Sequence, residues 1–260
     1  MRSSSGLGLM AFILLEAVPF IIVCLAHQLL CFVLLLLRPF VRRPVYPWAR
    51  SWTTRFLFGT KLQRSPDSPP LAEATPERPV IYCCNHRSWA DNGIDGELTG
   101  APYTSRWLVA AAFPFTAIIA LMDDGIAFFK RGKTTPAEFN EKCGVLLQGR
   151  TSSMLGYPEG TRHTEDAPTR PLKTGMLRMA FKMGVCIQLV ITAGKGEILQ
   201  EKRLRFRYGC AVTTFCSPVF DPKTMSEDEF LKAVQEAWAP TYEAAVAAHK
   251  KLQSQHEKSA

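Results

Sequence analysis

The side chains in this sequence best suited to chemistry are His86 and Asp91, in the stretch Asn85-His86-Arg87-Ser88-Trp89-Ala90-Asp91. It follows an apolar run, Val80-Ile81-Tyr82-Cys83-Cys84, that reads as a short buried strand. The polar residues therefore fall where a strand ends and a helix begins. Residues five apart on one continuous helix point about 140° apart. Contact between the two side chains thus requires His86 in the turn and Asp91 in the first turn of the next helix. The carboxylate then holds one imidazole nitrogen, and the other is open to take a proton from a substrate hydroxyl. Alone, the spacing is common, and a strand-end histidine with a nearby aspartate more often marks a helix cap than a catalyst.

Two more motifs follow expected strands. Gly125-Ile126-Ala127-Phe128-Phe129-Lys130-Arg131, with Lys133 beyond, is a strand running into a basic cluster. Arg131 has the geometry to bind a phosphate with two parallel hydrogen bonds, although a lone cluster of this kind is more often a solvated strand end. In Tyr157-Pro158-Glu159-Gly160-Thr161-Arg162, Gly160 allows a tight turn, Thr161 offers a hydroxyl and Arg162 is a second phosphate ligand. Glu159 either accepts a substrate hydroxyl or fixes the arginines; the plainer alternative is a structural ion pair across the turn. Lys173-Thr174-Gly175 opens a helix, and a structural role suits it best.

The elements that must position these residues alternate. Strands are expected near 80–84, 106–110, 126–129, 153–157, 185–192 and 203–214. Helices are expected near 90–98, 114–122, 136–148, 174–183 and 226–237, with another after Pro240. Thr135-Pro136-Ala137-Glu138 has a capping threonine, proline at the first helical position and a glutamate placed to complete a capping box. Ser226-Glu227-Asp228-Glu229 repeats the box. The tail from His249 is polar and reads as a fraying helix end. The alternation predicts an α/β fold with a mostly parallel central sheet flanked by helices, preceded by N-terminal membrane helices. Active residues of such a fold collect at strand ends.

Residues 9–37 are almost wholly apolar, interrupted by Glu16, His27 and Gln28. The run is longer than a signal-peptide core and long enough to span a bilayer, with Pro19 a point where it can kink. Arg38, Arg42, Arg43, Arg50 and Arg55 follow it, and only Arg2 precedes it. The positive-inside rule then places the rest of the chain on the cytoplasmic or matrix side, which suits an endoplasmic reticulum or mitochondrial membrane. Trp48, Trp52 and Phe56 recur every four residues and predict an amphipathic helix at the membrane surface. Residues 1–62 are thus expected as the membrane part, 63–79 as a linker and 80–260 as the α/β domain with C-terminal helices.

Lys+Arg 31 against Asp+Glu 23 gives a net charge of +8, which suits an anionic membrane surface or nucleic acid. No nucleic-acid motif is present, so nucleic acid is not an expected partner. None of the eight cysteines forms a Cys-x-x-Cys pair, and most lie in apolar runs, as core residues of a reducing compartment do; no metal site is expected.

The ordered set Asn-His-x4-Asp, Gly-x-x-Phe-x-x-Arg and Pro-Glu-Gly-Thr-Arg resembles the glycerolipid acyltransferase family, and within it the 1-acylglycerol-3-phosphate (lysophosphatidic acid) acyltransferases. The resemblance covers about residues 45–195. It implies that His86 is the general base and Asp91 its orienting partner. It assigns Asn85, Gly125, Phe128, Arg131, Glu159, Gly160, Thr161 and Arg162 to substrate binding, with Arg131 and Arg162 on phosphate. It further implies acyl-CoA as co-substrate, no bound cofactor, no metal and no acyl-enzyme. The family's fourth block often reads Val-Pro-Ile-Val-Pro-Val; the matching run here, Val185-Cys186-Ile187-Gln188-Leu189-Val190, has neither proline.

The leading expectation is acyl transfer to a lysophospholipid, most simply lysophosphatidic acid to phosphatidic acid, with membrane lipids as partners. The alternative is a catalytically silent member of the fold serving as a structural or lipid-binding subunit of a membrane protein assembly. A hydrolase is disfavoured: the sequence has no Gly-x-Ser-x-Gly elbow.

Overall fold

The computed structural model describes residue 10 and residues 13–163, 165–169, 171–200 and 203–259. The apolar N-terminal run makes a π turn at Ile13–Ala17 and then helix α1, Val18–Leu37. Pro19 lies in the first turn of α1, where its missing N–H is not needed, so it starts the helix and does not kink it. Pro47 plays the same part in α2, Tyr46–Trp52, which a second π turn extends over Thr53–Leu57. The remaining elements, in order, are β1 Lys61–Arg64, β2 Val80–Cys84, α3 Asp91–Thr99, β3 Tyr103–Arg106, α4 Trp107–Ala112, α5 Pro114–Met122, β4 Ile126–Phe129, α6 Pro136–Gln148, β5 Ser153–Gly156 and α7 Thr174–Met183. Then come β6 Cys186–Ala193, the short hairpin β7 Leu199–Gln200 and β8 Arg205–Phe206, β9 Ala211–Phe220 and α8 Glu227–Ser259.

Seven strands form one sheet in the order β1-β9-β6-β2-β5-β3-β4. From β6 to β4 all neighbours run parallel; β9 is antiparallel to β6, and β1 runs with β9. The central strand β2 alternates its side chains between two cores, as a strand covered on both faces must. Ile81 and Cys83 pack with α6, α7 and α8 through Leu146, Leu177, Phe230 and Trp238. Val80, Tyr82 and Cys84 face a second core that includes Cys31 and Leu34 of α1, Tyr46 of α2 and Ile119 of α5.

The N-terminal helix is thus a layer of the fold. It is tied to it from end to end: Glu16 to Arg205 at 2.9 Å, Gln28 to Thr116 at 2.6 Å, and Arg38 to Asp123 at 2.9 Å. Its other face is bare and apolar, with Leu15, Leu25 and Leu29 each more than half exposed. On α2 and the π turn after it, Trp48 and Phe56 are exposed and Trp52 between them is half-buried, while Tyr46, Ala49 and Arg50 point inward. Residues 1–9, 11 and 12 of the predicted membrane part, Arg2 among them, lie outside the described residues.

Four expectations are corrected. The strand at 106–110 is instead the end of β3 followed by α4; Trp107-Leu108-Val109 is a short apolar run that periodicity cannot assign, and the alanines after it favour helix. The strand at 203–214 divides into β8, a turn and β9. Helix α8 runs straight through Pro240 to Ser259. An interior proline costs about 3 kcal/mol, but Trp238 and Tyr242 on either side are fully buried. Each such aromatic contributes about 1.5–3 kcal/mol by burial, enough to offset the break. The tail does not fray at His249, which is buried with Nδ1 3.0 Å from the Thr213 hydroxyl.

Residues 65–79 are held on the sheet. Gln188 of β6 donates to the Pro70 carbonyl and accepts from Ala72 N–H, each at 2.8 Å, while Tyr82 donates to the Ala72 carbonyl at 2.7 Å. Residues 63 and 64 belong to β1, inside the sheet.

Candidate active site

The site starts where β2 stops. Asn85 ends the strand by clamping β6: it accepts from Thr192 N–H and donates to the Thr192 carbonyl, both at 3.0 Å. It also donates to the Tyr242 hydroxyl at 3.2 Å. Asn85 is fully buried and occupied on both sides of its amide, so in this structure it ties β2 to β6.

The turn that follows puts His86 Nδ1 2.8 Å from Asp91 Oδ2 in the first turn of α3. The same oxygen accepts the backbone N–H of Arg87 and, at 3.0 Å, that of Ser88. Asp91 therefore binds the turn that precedes α3 and orients the imidazole at once; the helix itself begins after Ala90, which provides no side-chain cap. Burial works against its charge, but Lys195, His86 and the Arg87 N–H outweigh that and hold the carboxyl below the usual range. Facing an ionised acceptor, Nδ1 carries the proton and Nε2 keeps the lone pair. Nε2 has no hydrogen-bond partner among the described residues. The His86 side chain is 20% exposed and that of Asp91 is not exposed at all.

The imidazole is also fixed by its face. Tyr157 stacks on it with centroids 4.2 Å apart and planes 19° apart. The Tyr157 hydroxyl lies 3.0 Å from Asn92 Oδ1 and 3.1 Å from Asp95 Oδ2. Asp95, one helical turn past Asp91, receives the Lys195 ammonium at 2.6 Å. That ammonium is fully buried and 3.9 Å from Asp91 Oδ1.

A second buried pair holds the loop. Glu159 accepts the His86 N–H at 2.6 Å and both carboxylate oxygens meet Arg87 Nη1, at 3.0 and 2.9 Å. Thr169 donates to Glu159 at 2.6 Å. Arg87 also donates to the His86 and Ala167 carbonyls and to the Tyr242 hydroxyl. Glu159 thus points inward and anchors the loop through Arg87, Thr169 and the His86 N–H. Gly160 makes the turn beyond it at φ +71°; a Cβ there would come within 2.6 Å of the Lys173 side chain. Thr161 is exposed, with its hydroxyl 3.3 Å from His163 Nε2. Arg162 is half-buried, its guanidinium 5.8 Å over the Trp89 ring.

The Gly125 motif is placed differently. Gly125 lies against Tyr46, and Phe128 is buried and stacked on Trp107 at 5.0 Å, so both pack in the core. Arg131 is exposed beyond β4, on the same edge of the sheet as His86 but three strands away. At normal strand spacing that is about 14 Å.

Residues the sequence reading left unassigned complete the site: Arg87, Asp95, Tyr157, Lys195 and Tyr242. One signal was available. Asp91 and Asp95 are four apart on one helix face, where like charges repel and a neighbouring cation relieves them.

The chain matches the sequence profile of the Acyltransferase family over residues 63–192. It is similar to the lyso-ornithine lipid O-acyltransferase of Pseudomonas aeruginosa, 26% identical over 131 residues, which are 50% of this chain and 49% of that protein. It is also similar to the probable beta-glucosidase A of Aspergillus fumigatus, 34% identical over 125 residues, 45% of this chain but 14% of that protein. The chain thus spans half or less of these relatives' lengths. Among solved structures, the 1-acyl-sn-glycerophosphate (LPA) acyltransferase PlsC from Thermotoga maritima superposes with a TM-score of 0.58. That match covers 86% of this chain and 97% of that one at 19% identity, a likeness of fold. With half its length matched by the family profile, the chain belongs to the acyltransferase family.

Proposed function

We propose that this chain is a membrane-bound enzyme that moves a fatty acyl group from acyl-CoA to the free hydroxyl of a lysophospholipid, with lysophosphatidic acid the first acceptor to test. The observation that supports this best is the state of His86: Nδ1 held by a buried, ionised Asp91, Nε2 open, and the ring partly exposed. Nε2 takes the proton of the acceptor hydroxyl as its oxygen attacks the thioester carbonyl. The tetrahedral intermediate collapses with loss of the C–S bond, and the imidazolium returns the proton to the departing thiolate. Asp91 stabilises the imidazolium without taking its proton. A thioester is already activated, so positioning and one base suffice.

Ser88 is not available as a nucleophile. It is fully buried, and its hydroxyl is 3.3 Å from Asp91 and 3.4 Å from the Lys195 carbonyl. Nor does the site suit glycoside hydrolysis, which uses two carboxyls flanking an open sugar site. Asp91 and Asp95 are fully buried, and Glu159 is bonded to Arg87. Arg162, just past β5 and above Trp89, is the arginine we assign to an acceptor phosphate.

The apolar outer face of α1 continues through Trp48, Phe56, Trp107, Leu108 and Met122, all about half or more exposed. We read this as the membrane face. Because α1 is bonded to the domain from Glu16 to Arg38, it enters the lipid sideways, in one leaflet, and does not stand across it. The flanking arginines then mark contact with anionic headgroups and fix no side of the membrane.

The test is transfer of labelled acyl groups from acyl-CoA to a panel of lysolipids in detergent micelles, with lysophosphatidic acid and lyso-ornithine lipid included. We expect transfer by the parent and none above background in His86→Ala. A parent inactive with every acceptor removes this reading and leaves that of a silent lipid-binding subunit.

A further inference from the structure

We propose that Lys195 is a positioning residue for the transfer reaction, holding His86 from two directions: through Asp91 at the edge of the imidazole and through Asp95 and Tyr157 at its face. The proposal rests on the reading of His86 as the base, and adds a residue outside every motif of the sequence.

The geometry is a branched relay. The ammonium is 2.6 Å from Asp95 and 3.9 Å from Asp91. Asp91 holds Nδ1 of His86. Asp95 lies 3.1 Å from the hydroxyl of Tyr157, whose ring is the platform under the imidazole. Both acids stand on α3 one turn apart, so a single cation just past β6 engages both branches. A fully buried lysine is among the most costly groups to place in a fold. Packing alone would be served more cheaply by a methionine, so its charge points to a use.

The groups facing the ammonium are Asp91 and Asp95 of α3, Tyr157 past β5 and Cys84 at the end of β2; Arg50 of α2 lies against α3 at Gly96. Burial pushes the Asp95 carboxyl up to about 7; the neighbouring Asp91 adds to the rise and Lys195 opposes it. Without Lys195, Asp95 stays protonated to still higher pH. Once it ionises there, two buried carboxylates face each other with no cation between them, and the α3 end of the relay must move.

Three variants decide the matter in the full-length protein, measured beside the parent and His86→Ala. Lys195→Met should lower kcat about 100-fold, the scale of a misplaced catalytic group, with KM unchanged within about twofold. Its pH–rate profile should gain an alkaline limb absent from the parent, and adding Asp95→Asn to Lys195→Met should abolish that limb. Tyr157→Phe keeps the stacked ring and cuts the hydroxyl's ties to Asp95 and Asn92, and it tests the branch at the imidazole face where Lys195→Met does not fold. It should lower kcat about tenfold at unchanged KM, as loss of one ordering contact does. A readout independent of turnover is the downfield Nδ1 proton resonance of His86, assigned by its loss in His86→Ala; it should broaden or vanish in Lys195→Met. The proposal is overturned if kcat falls only in proportion to folded protein with the parent's profile, or if that resonance is unchanged. It is overturned equally if Tyr157→Phe matches the parent. An inactive parent that keeps the resonance, and loses it in Lys195→Met, would sink acyl transfer and leave the positioning relay standing.

Discussion

The ends of β2 and β4 read alike in sequence, each an apolar strand running into polar residues of the kind that bind or catalyse. In the fold they are opposites. At the end of β2, Asn85, Arg87 and Asp91 are buried and bonded, and their common product is one partly exposed imidazole. At the end of β4, Gly125 and Phe128 turn into the core and Lys130 and Arg131 turn out to water. Exposed cations of this kind contribute at most about 1 kcal/mol to any pairing. Buried ones are far costlier to isolate, so each must be matched, and the matching is what fixes geometry. A motif of the right types becomes a site only where its charges constrain one another.

That contrast can be broken or sharpened by substitution at either end. The largest effect belongs to His86→Ala, which should lower acyl transfer by about 10²–10⁴-fold, the usual share of a general base, without changing Tm beyond about 2 °C. Asp91→Asn should cost slightly less turnover, about 10²–10³-fold, because Nδ1 loses its ionised acceptor while Nε2 remains. Glu159→Ala removes the closer carboxylate from buried Arg87, leaving Asp166 at 3.7 Å, and should destabilise the fold by about 3 kcal/mol, read from urea unfolding. Arg162→Ala should raise KM for phosphate-bearing acceptors about tenfold or more and leave kcat nearly unchanged, the pattern of lost ground-state binding. Arg131→Ala should change kcat and KM by less than about threefold. A strong Arg131 effect would mean that the acceptor reaches across about 14 Å of sheet edge, and the two strand ends would then be one site.

Most of the scaffold was legible because local signals agreed with the fold. The helices at Pro114–Met122, Pro136–Gln148 and Thr174–Met183 follow from periodicity, and the Thr135 capping box forms as its residues require. Their existence needed no knowledge of distant partners. The interior of the site did: Lys195 meets Asp95 across a hundred positions of sequence, and Arg87 reads as a bystander until Glu159 and Tyr242 arrive around it. The same holds for the fourth block. Where the resembling family often has prolines, the Cys186 N–H donates to the Pro79 carbonyl and the Leu189 N–H to the Ser217 hydroxyl, both at 3.0 Å. A proline supplies neither donor. The departure is therefore a local rewiring of β6 to residues 65–79 and to β9, and it leaves the strand in place.

The attachment of α1 along its whole length bears on how the protein is made. This helix leaves the ribosome before the elements it packs on: α5 begins at Pro114, and Arg205, which meets Glu16, comes later still. A nascent chain therefore carries a long apolar helix before these partners exist. A bilayer is one medium in which such a helix can wait without aggregating, so early contact with lipid would protect the folding of the domain that later packs on it.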